Sequence, residues 1–246
     1  IMAIRINTVY QTVLALANKE QRGYITPQEF NLFAKQAQMS IFEQYFYDLN
    51  QFKRVQTNDT EAFDMINLIE EKLNSIFLKT LAGAAFKTHG MPLPGDFYRL
   101  HDCFYRQIGG DTLSPVGNRV EHMERQQAIK IGSSGPLTRP TINTPVSYIF
   151  TGRIYMLPIV NPTPINTTFL MSYYRKPQDP KWTYVVLNEK PMFNSSGGAV
   201  DFELHESEES NLILKILQLA GISIKDFNIA QVAAQIENNR IAQQKQ

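Results

Sequence analysis

The sequence contains a single cysteine, Cys103, among its 246 residues. One thiol cannot form an internal disulfide, and a zinc site built mainly of cysteines is excluded for the same reason. No run of about 18 apolar residues occurs, so we expect no membrane span. The amino-terminal stretch lacks the basic start and long apolar centre of a secretion signal, which favours a protein made in a cytoplasm.

An excess of charge of either sign is also missing. The chain has 24 basic and 23 acidic residues, a net charge of +1, and these charges are scattered rather than grouped. This balance does not favour binding to nucleic acid or to an anionic membrane. Hydrophobic residues make up 43% of the chain and charged residues 19%, which is typical of a packed domain rather than of a disordered chain.

Motifs that carry chemistry are lacking as well. There is no nucleophile elbow, phosphate-binding loop or dinucleotide-binding glycine motif. His101 and Cys103 form an H-x-C pair, but no second pair is present to complete a tetrahedral metal site. Cys103 lies in an aromatic segment and is predicted to be a small buried hydrophobe. We therefore expect no enzymatic activity, no catalytic or metal-binding residue and no cofactor.

Residues 18–29 have the length of an EF-hand calcium loop, with Gly23 at the sixth position. However, Arg22 would place a cation at the fifth position, where calcium needs an oxygen ligand. Thr26, Pro27 and Glu29 instead form a helix-start signal, a capping box with proline at the first helical position. The segment is therefore predicted to be the corner of a helical hairpin, with Gly23 ending the first helix.

Apolar residues at helical spacing predict three helices in the amino-terminal third of the chain. They cover residues 5–22, 27–49 and 61–81. The second has a wide aromatic face that is typical of a helix-bundle core. This face consists of Phe30, Phe33, Ala34, Ala37, Ile41, Phe42, Tyr45, Phe46 and Leu49.

Prolines gather between Gly83 and Asp201, separated by short runs of β-branched and aromatic residues. These runs predict a small antiparallel β-sandwich or barrel. The strand candidates are 97–105, 146–150, 153–160, 167–175 and 183–187. Pro158 lies within one of them and indicates an edge strand or a bulge at that point.

Helix is predicted to return near the carboxyl terminus. A helix is predicted to begin where three carboxylates lie in one turn, because negative charges stabilise the positive end of a helix dipole. These are Glu206, Glu208 and Glu209. Gly221 is predicted to end that helix. A last helix, at about 228–244, has a thin apolar stripe and would be marginal alone. We expect it to dock on another surface, with Ile229, Val232, Ile236 and Arg240 as the candidate contact residues.

The predicted fold class is α+β, a helical bundle built from both ends of the chain with an inserted β domain. The predicted boundaries are 1–82 for the first helical part, 83–203 for the β domain and 204–246 for the second helical part.

Basic and aromatic residues alternate at 173–182, and such a segment could form a platform for single-stranded nucleic acid. A strand, a turn and a second strand explain the same residues more simply.

Three stretches resemble structural proteins of short-tailed bacteriophages. LPGDFYRLHDCFY at 93–105 is similar to the entry into the β domain of their adaptor proteins, and FLMSYYRKPQDPKWTY at 169–184 is similar to a later strand and turn of that group. FELHESEESNLILKILQLAGISIKD at 202–226 resembles the carboxyl-terminal helices of structural proteins in crAss-like phages. The matching residues are signatures of the fold: Phe97, Tyr98, Arg99, Tyr174, Arg175, Lys176, Pro177, Pro180 and Trp182.

The resemblance implies a virion structural protein, a head–tail connector (adaptor) or tail ring subunit at the portal vertex, assembled in the bacterial host cytoplasm. Such subunits form homo-oligomeric rings around a DNA channel, and these rings are most frequently dodecamers. The portal protein and other tail ring proteins would be partners, and genomic DNA would pass without sequence recognition.

Two alternatives remain open. One is another minor virion component, such as a capsid-associated or cargo protein. The other is a β-domain enzyme or carbohydrate binder with a helical anchor.

Overall fold

A computed structural model describes residues 4–19, 25–54, 60–84, 90–107, 118–135, 137–141, 143–158 and 167–223. The chain forms two compact units. Unit 1 comprises residues 1–76 and 177–246, and unit 2 comprises residues 77–176. The predicted helix at 228–244, with Ile229, Val232, Ile236 and Arg240, lies outside the described residues, as does Gly23.

The predicted α+β fold class is confirmed. The helices are α1 Ile6–Lys19, α2 Pro27–Arg54, α3 Thr60–Phe77, α4 Arg125–Gly132 and α5 Glu209–Ser223. The strands are β1 Leu78–Ala84, β2 Met91–Pro92, β3 Phe97–Gln107, β4 Asn118–Arg119, β5 Glu121–His122, β6 Val146–Phe150, β7 Arg153–Leu157, β8 Thr167–Arg175, β9 Tyr184–Leu187 and β10 Lys190–Phe193. Within the described ranges, every helix is too short or too polar to cross a bilayer.

The predicted start of α2 is confirmed in detail. The backbone N–H of Glu29 donates to Thr26 Oγ1 at 3.3 Å, and the backbone N–H of Thr26 donates to Glu29 Oε2 at 3.0 Å. These two bonds form the reciprocal capping box, which satisfies two otherwise unpaired N–H groups. The Thr26 hydrogen bonds also lower the pKa of Glu29, because they favour its ionised form.

The predicted aromatic face of α2 forms the centre of unit 1. Phe30, Phe42 and Ile41 are fully buried, together with Phe202 and Leu204 from the segment that precedes α5. The helix extends to Arg54, five residues beyond its predicted end. A remote carboxylate caps α1, since the N–H of Ile6 donates to Asp201 Oδ1 at 2.9 Å.

Residues 177–203 belong to unit 1, whereas the predicted β domain extended to residue 203. Two amides on one face of α2 bind this segment. Asn31 pairs with both backbone groups of Trp182, and Gln38 donates to the carbonyl of Gln178 while accepting from the N–H of Glu203. Because Asn31 and Gln38 are two turns apart, they hold the segment along the helix.

Unit 2 consists of two four-stranded sheets around one core. One sheet has the order β1-β8-β3-β4 and the other β2-β7-β6-β5. Pairing is antiparallel except between β5 and β6, which are parallel. Buried side chains from both sheets form the common core, so the described strands build a sandwich. They are Cys103, Tyr105, Val120, Ile154, Met156, Phe169, Met171 and Tyr173.

Three predicted boundaries were wrong. The third helix ends at Phe77 rather than at Leu81, because every residue of β1 pairs with a residue of β8. Gly221 does not end α5, which continues to Ser223 with Gly221 buried. The predicted strand 153–160 ends at Leu157, before Pro158, and its last residues pair only with β6 among the described strands, as the expected edge requires.

The turn between β6 and β7 offers a test of backbone strain. Thr151 has φ of 47° and Gly152 has φ of 69°, which suits a turn of type I′. A β-branched residue is disfavoured at such a φ, whereas asparagine tolerates it. We expect Thr151→Asn to raise the free energy of unfolding of unit 2 by about 0.5–1 kcal/mol, measured by urea denaturation. Thr151→Ala is the control, because it also carries a Cβ at this φ but lacks the side-chain amide, and it should gain less than Thr151→Asn. An unchanged or lower stability for Thr151→Asn would contradict the expectation.

A second test concerns the pH dependence of unit 2. Asp96 accepts hydrogen bonds from Lys79 Nζ at 2.6 Å and from the Tyr173 hydroxyl at 3.0 Å, and the Lys79 bond is the main reason why the pKa of Asp96 is lowered. A carboxylate with a lowered pKa stabilises the fold above its ordinary pKa of about 3.9 and loses this contribution as the pH falls through the folded value.

We therefore expect Asp96→Asn to be less stable than the native chain at pH 7, and the difference to shrink progressively below about pH 4. Urea unfolding of both chains across this range measures the difference. A gap that stayed constant down to the acid limit would show that the charge of Asp96 is not responsible.

Candidate interaction surface

The β9–β10 hairpin of unit 1, called here the ribbon (residues 184–193), exposes a group of large apolar side chains. The two strands pair only with each other among the described residues, joined by the two-residue turn Asn188-Glu189. Both turn residues have positive φ, 49° and 63°, which is the type I′ conformation that matches the twist of a hairpin. The turn fixes the register, so the face of each side chain is known.

Trp182 anchors the base of the ribbon to the helices. It is 3% exposed, and its indole N–H donates to Asn7 Oδ1 at 3.2 Å. Its ring lies 4.1 Å from the ring of Tyr10 and contacts two residues of the ribbon, Tyr184 at 5.7 Å and Phe193 at 5.9 Å between centroids. The base of the ribbon is therefore held in a fixed position on unit 1.

The opposite face of the ribbon is open. Directly opposed residues in an antiparallel pair share a face, so Val185 and Met192 lie together, followed by Leu187 and Lys190. Val185, Leu187 and Met192 are 45%, 55% and 55% exposed. A two-stranded ribbon normally has a polar outer face, and we call this apolar one the outer face. Its composition is typical of a surface that another molecule covers.

The alternative of a nucleic-acid platform at 173–182 does not fit the burial of its aromatic residues. Tyr173, Tyr174 and Trp182 are each no more than 4% exposed, so their rings cannot stack on bases. Arg175 lies over the ring of Phe77, 5.9 Å from its centroid. Several of the residues expected to be fold signatures have packing roles, including Phe97, whose ring lies 5.7 Å from that of Tyr173, whereas Arg99 and Lys176 are exposed.

Unit 2 contains a polar pocket of about 540 Å³ between β3 and the β4–β5 segment. Asp102 accepts from Arg119 Nη2 at 2.8 Å and Nε at 3.1 Å, and its other oxygen lies 3.7 Å from His101 Nε2. The Arg119 charge is thus paired at the pocket wall. His122 lies 3.3 Å from the Ser147 hydroxyl, and its burial lowers its pKa, which favours a neutral ring.

The pocket does not contain an activated nucleophile. Cys103 is 1% exposed, and its burial, assisted by the charge of Asp102, raises the pKa of its thiol to about 12. A thiol in this state stays protonated near neutral pH and is a poor nucleophile and ligand. The prediction that Cys103 is a buried hydrophobe is confirmed. Within the described ranges, no three His, Cys, Asp or Glu side chains group as metal ligands.

No protein-family model matches this chain, and no curated protein matches it either. The interpretation of its surfaces therefore depends on their geometry and on the sequence resemblance.

The sequence reasoning missed the outer face of the ribbon and placed the interface in residues 228–244 alone. A signal was nevertheless present. TYVVL and PMF carry apolar residues at consecutive positions on either side of a two-residue turn. Because neighbouring residues of a strand point to opposite faces, such a hairpin must be apolar on both faces. Trp182 contacts one of these faces through Tyr184 and Phe193, and Val186, further along that face, is 61% exposed.

Proposed function

We propose that this protein is a structural subunit of a bacteriophage virion, a head–tail connector or tail ring protein that forms a homo-oligomeric ring around the DNA channel below the portal. The observation that carries the proposal is the ribbon, whose base is fixed by Trp182 while Val185, Leu187 and Met192 remain open on its outer face. A fixed projection with an apolar face is suited to binding another protein.

The charge of the chain supports the same role. A net charge of +1 leaves little attraction for phosphates, and a strongly basic channel wall would bind the DNA backbone and slow its passage. The similarity of residues 93–105, 169–184 and 202–226 to phage structural proteins points in the same direction. Three of the residues that carry this similarity, Tyr174, Pro180 and Trp182, are buried, as expected of residues that support a fold.

The experiment that tests the proposal locates the chain in particles. Electron microscopy of purified virions, combined with native mass spectrometry of the disassembled vertex, should find the chain as a closed ring of roughly twelve copies at the portal vertex. A chain spread over the capsid shell, or packaged inside the head, would establish the alternative of a capsid-associated or cargo protein. Absence of the chain from particles would overturn the virion role.

A further inference from the structure

The outer face of the ribbon carries one charge beside its three apolar residues. Lys190 is directly opposite Leu187 and is exposed, and within the described residues it has no ion pair or side-chain hydrogen bond. A surface that covers this face must therefore bring apolar area and, to avoid leaving an ammonium group unpaired on desolvation, a carboxylate. These two requirements restrict the choice of partner.

One exposed face of this same chain meets both requirements. It runs along the carboxyl-terminal half of α2 and contains Met39, Glu43 and Tyr47, which are spaced four residues apart and therefore lie in line. We call these three residues the α2 stripe. Tyr47 is 60% exposed, Met39 is half-buried, and Glu43 is exposed without an ion pair or side-chain hydrogen bond among the described residues.

We infer that the outer face of the ribbon docks on the α2 stripe of a second copy of this chain, with Lys190 against Glu43 and with Val185, Leu187 and Met192 against Met39 and Tyr47. The apolar part of the outer face is short enough to fit within the α2 stripe. The apolar part of the outer face is about 7 Å long from Val185 to Leu187. The stripe is about 12 Å long from Met39 to Tyr47, with the carboxylate at its centre.

The two surfaces are different parts of the same unit, so the contact is head to tail. The ribbon base is held at Asn31, and the α2 stripe begins eight residues further along the helix, about 12 Å away. A head-to-tail contact between two subunits leaves one outer face and one α2 stripe uncovered. Further subunits can add at these surfaces, and the ring closes when the rotation between neighbouring subunits permits it. The inference rests on the proposed ring function and specifies the residues of its subunit contact.

Charge exchange in the full-length chain tests the contact. Lys190→Glu or Glu43→Lys alone places like charges together and should weaken self-association at least tenfold, as measured by sedimentation velocity over a concentration series. The double variant Lys190→Glu/Glu43→Lys should recover to within about threefold of the native chain. The matched control is Lys190→Glu/Glu71→Lys, because Glu71 is an exposed carboxylate on α3, and this pair should not recover.

Cysteine cross-linking in assembled particles gives a second readout. Leu187→Cys/Tyr47→Cys should produce a ladder of covalent oligomers with a short bismaleimide, while Leu187→Cys/Leu68→Cys should not. The native Cys103 is buried and provides little background. Recovery by charge exchange together with the ladder supports the inference.

A ring in particles that survives both single charge reversals, or that gives no ladder, overturns this contact and leaves the ring function intact. A native chain that remains monomeric at all concentrations and gives no ladder in particles also overturns the contact. The ring function is then decided separately by the position of the chain in virions.

Discussion

Trp182→Ala should lower the free energy of unfolding of unit 1 by about 3–5 kcal/mol, the range for removing a large buried aromatic side chain. The indole is almost fully buried, contacts Tyr10, Tyr184 and Phe193, and donates a hydrogen bond to Asn7. Its removal opens a cavity and leaves the Asn7 amide without this donor. Urea denaturation followed by far-UV circular dichroism measures the loss, since four of the five described helices lie wholly or mainly in unit 1.

Two variants make this result interpretable. Leu32→Ala removes a side chain that is 64% exposed on α2, and it should change the stability by no more than about 0.5 kcal/mol. Trp182→Phe keeps much of the ring volume and should fall between the native chain and Trp182→Ala. If Trp182→Ala cost no more than Leu32→Ala, Trp182 would not anchor the ribbon as described.

Lys72→Met should destabilise unit 1 by about 3–5 kcal/mol, the cost of leaving one partner of a buried ion pair alone. Lys72 Nζ lies 2.8 Å from Glu208 Oε1, and the two side chains are 17% and 6% exposed. Asn211 Nδ2 donates to the other carboxylate oxygen at 3.1 Å, and Lys72 also lies over the ring of Tyr45. The variant would leave the Glu208 charge in a poorly hydrated site without its cation.

Replacing both partners should reverse most of this loss. In Lys72→Met/Glu208→Leu no charge remains to be desolvated, and such replacements are often neutral or stabilising. The fluorescence of Trp182, the only tryptophan, reports the unfolding of unit 1 in both variants. Lys53→Met is the control, because its pair with Glu70 is half-exposed and should contribute at most about 1 kcal/mol. A double variant as unstable as Lys72→Met would show that the ion pair itself stabilises the fold.

Local sequence signals predicted the helical part of the fold well. The capping box at Thr26 and Glu29 fixed the start of α2 because its two hydrogen bonds join residues only three apart. Strands β6 and β8 have the predicted bounds, since turn residues flank runs of β-branched and aromatic side chains. Cys103 was predicted to be buried from its aromatic surroundings alone.

Contacts with residues distant in the sequence determined the structure of two segments that local signals did not predict. LKTLAGA at 78–84 contains good helix formers, yet it forms β1 because β8 offers a complete antiparallel ladder about 90 residues further along the chain. The segment 177–203 looked like part of the β domain. It belongs to unit 1 because Asn31 and Gln38 bind its backbone. The sequence does not indicate which backbone groups two amide side chains on a helix will bind.

For the ribbon too, local sequence determined one part of the structure and distant contacts determined another. The sequence by itself determined that a strand lies at about 183–187, because a run of β-branched and aromatic residues beside turn residues is a local signal. Only the tertiary structure showed that Trp182 fixes the base of the ribbon to the helices while Val185, Leu187 and Met192 stay exposed, because the position of Trp182 depends on contacts between residues more than 150 positions apart.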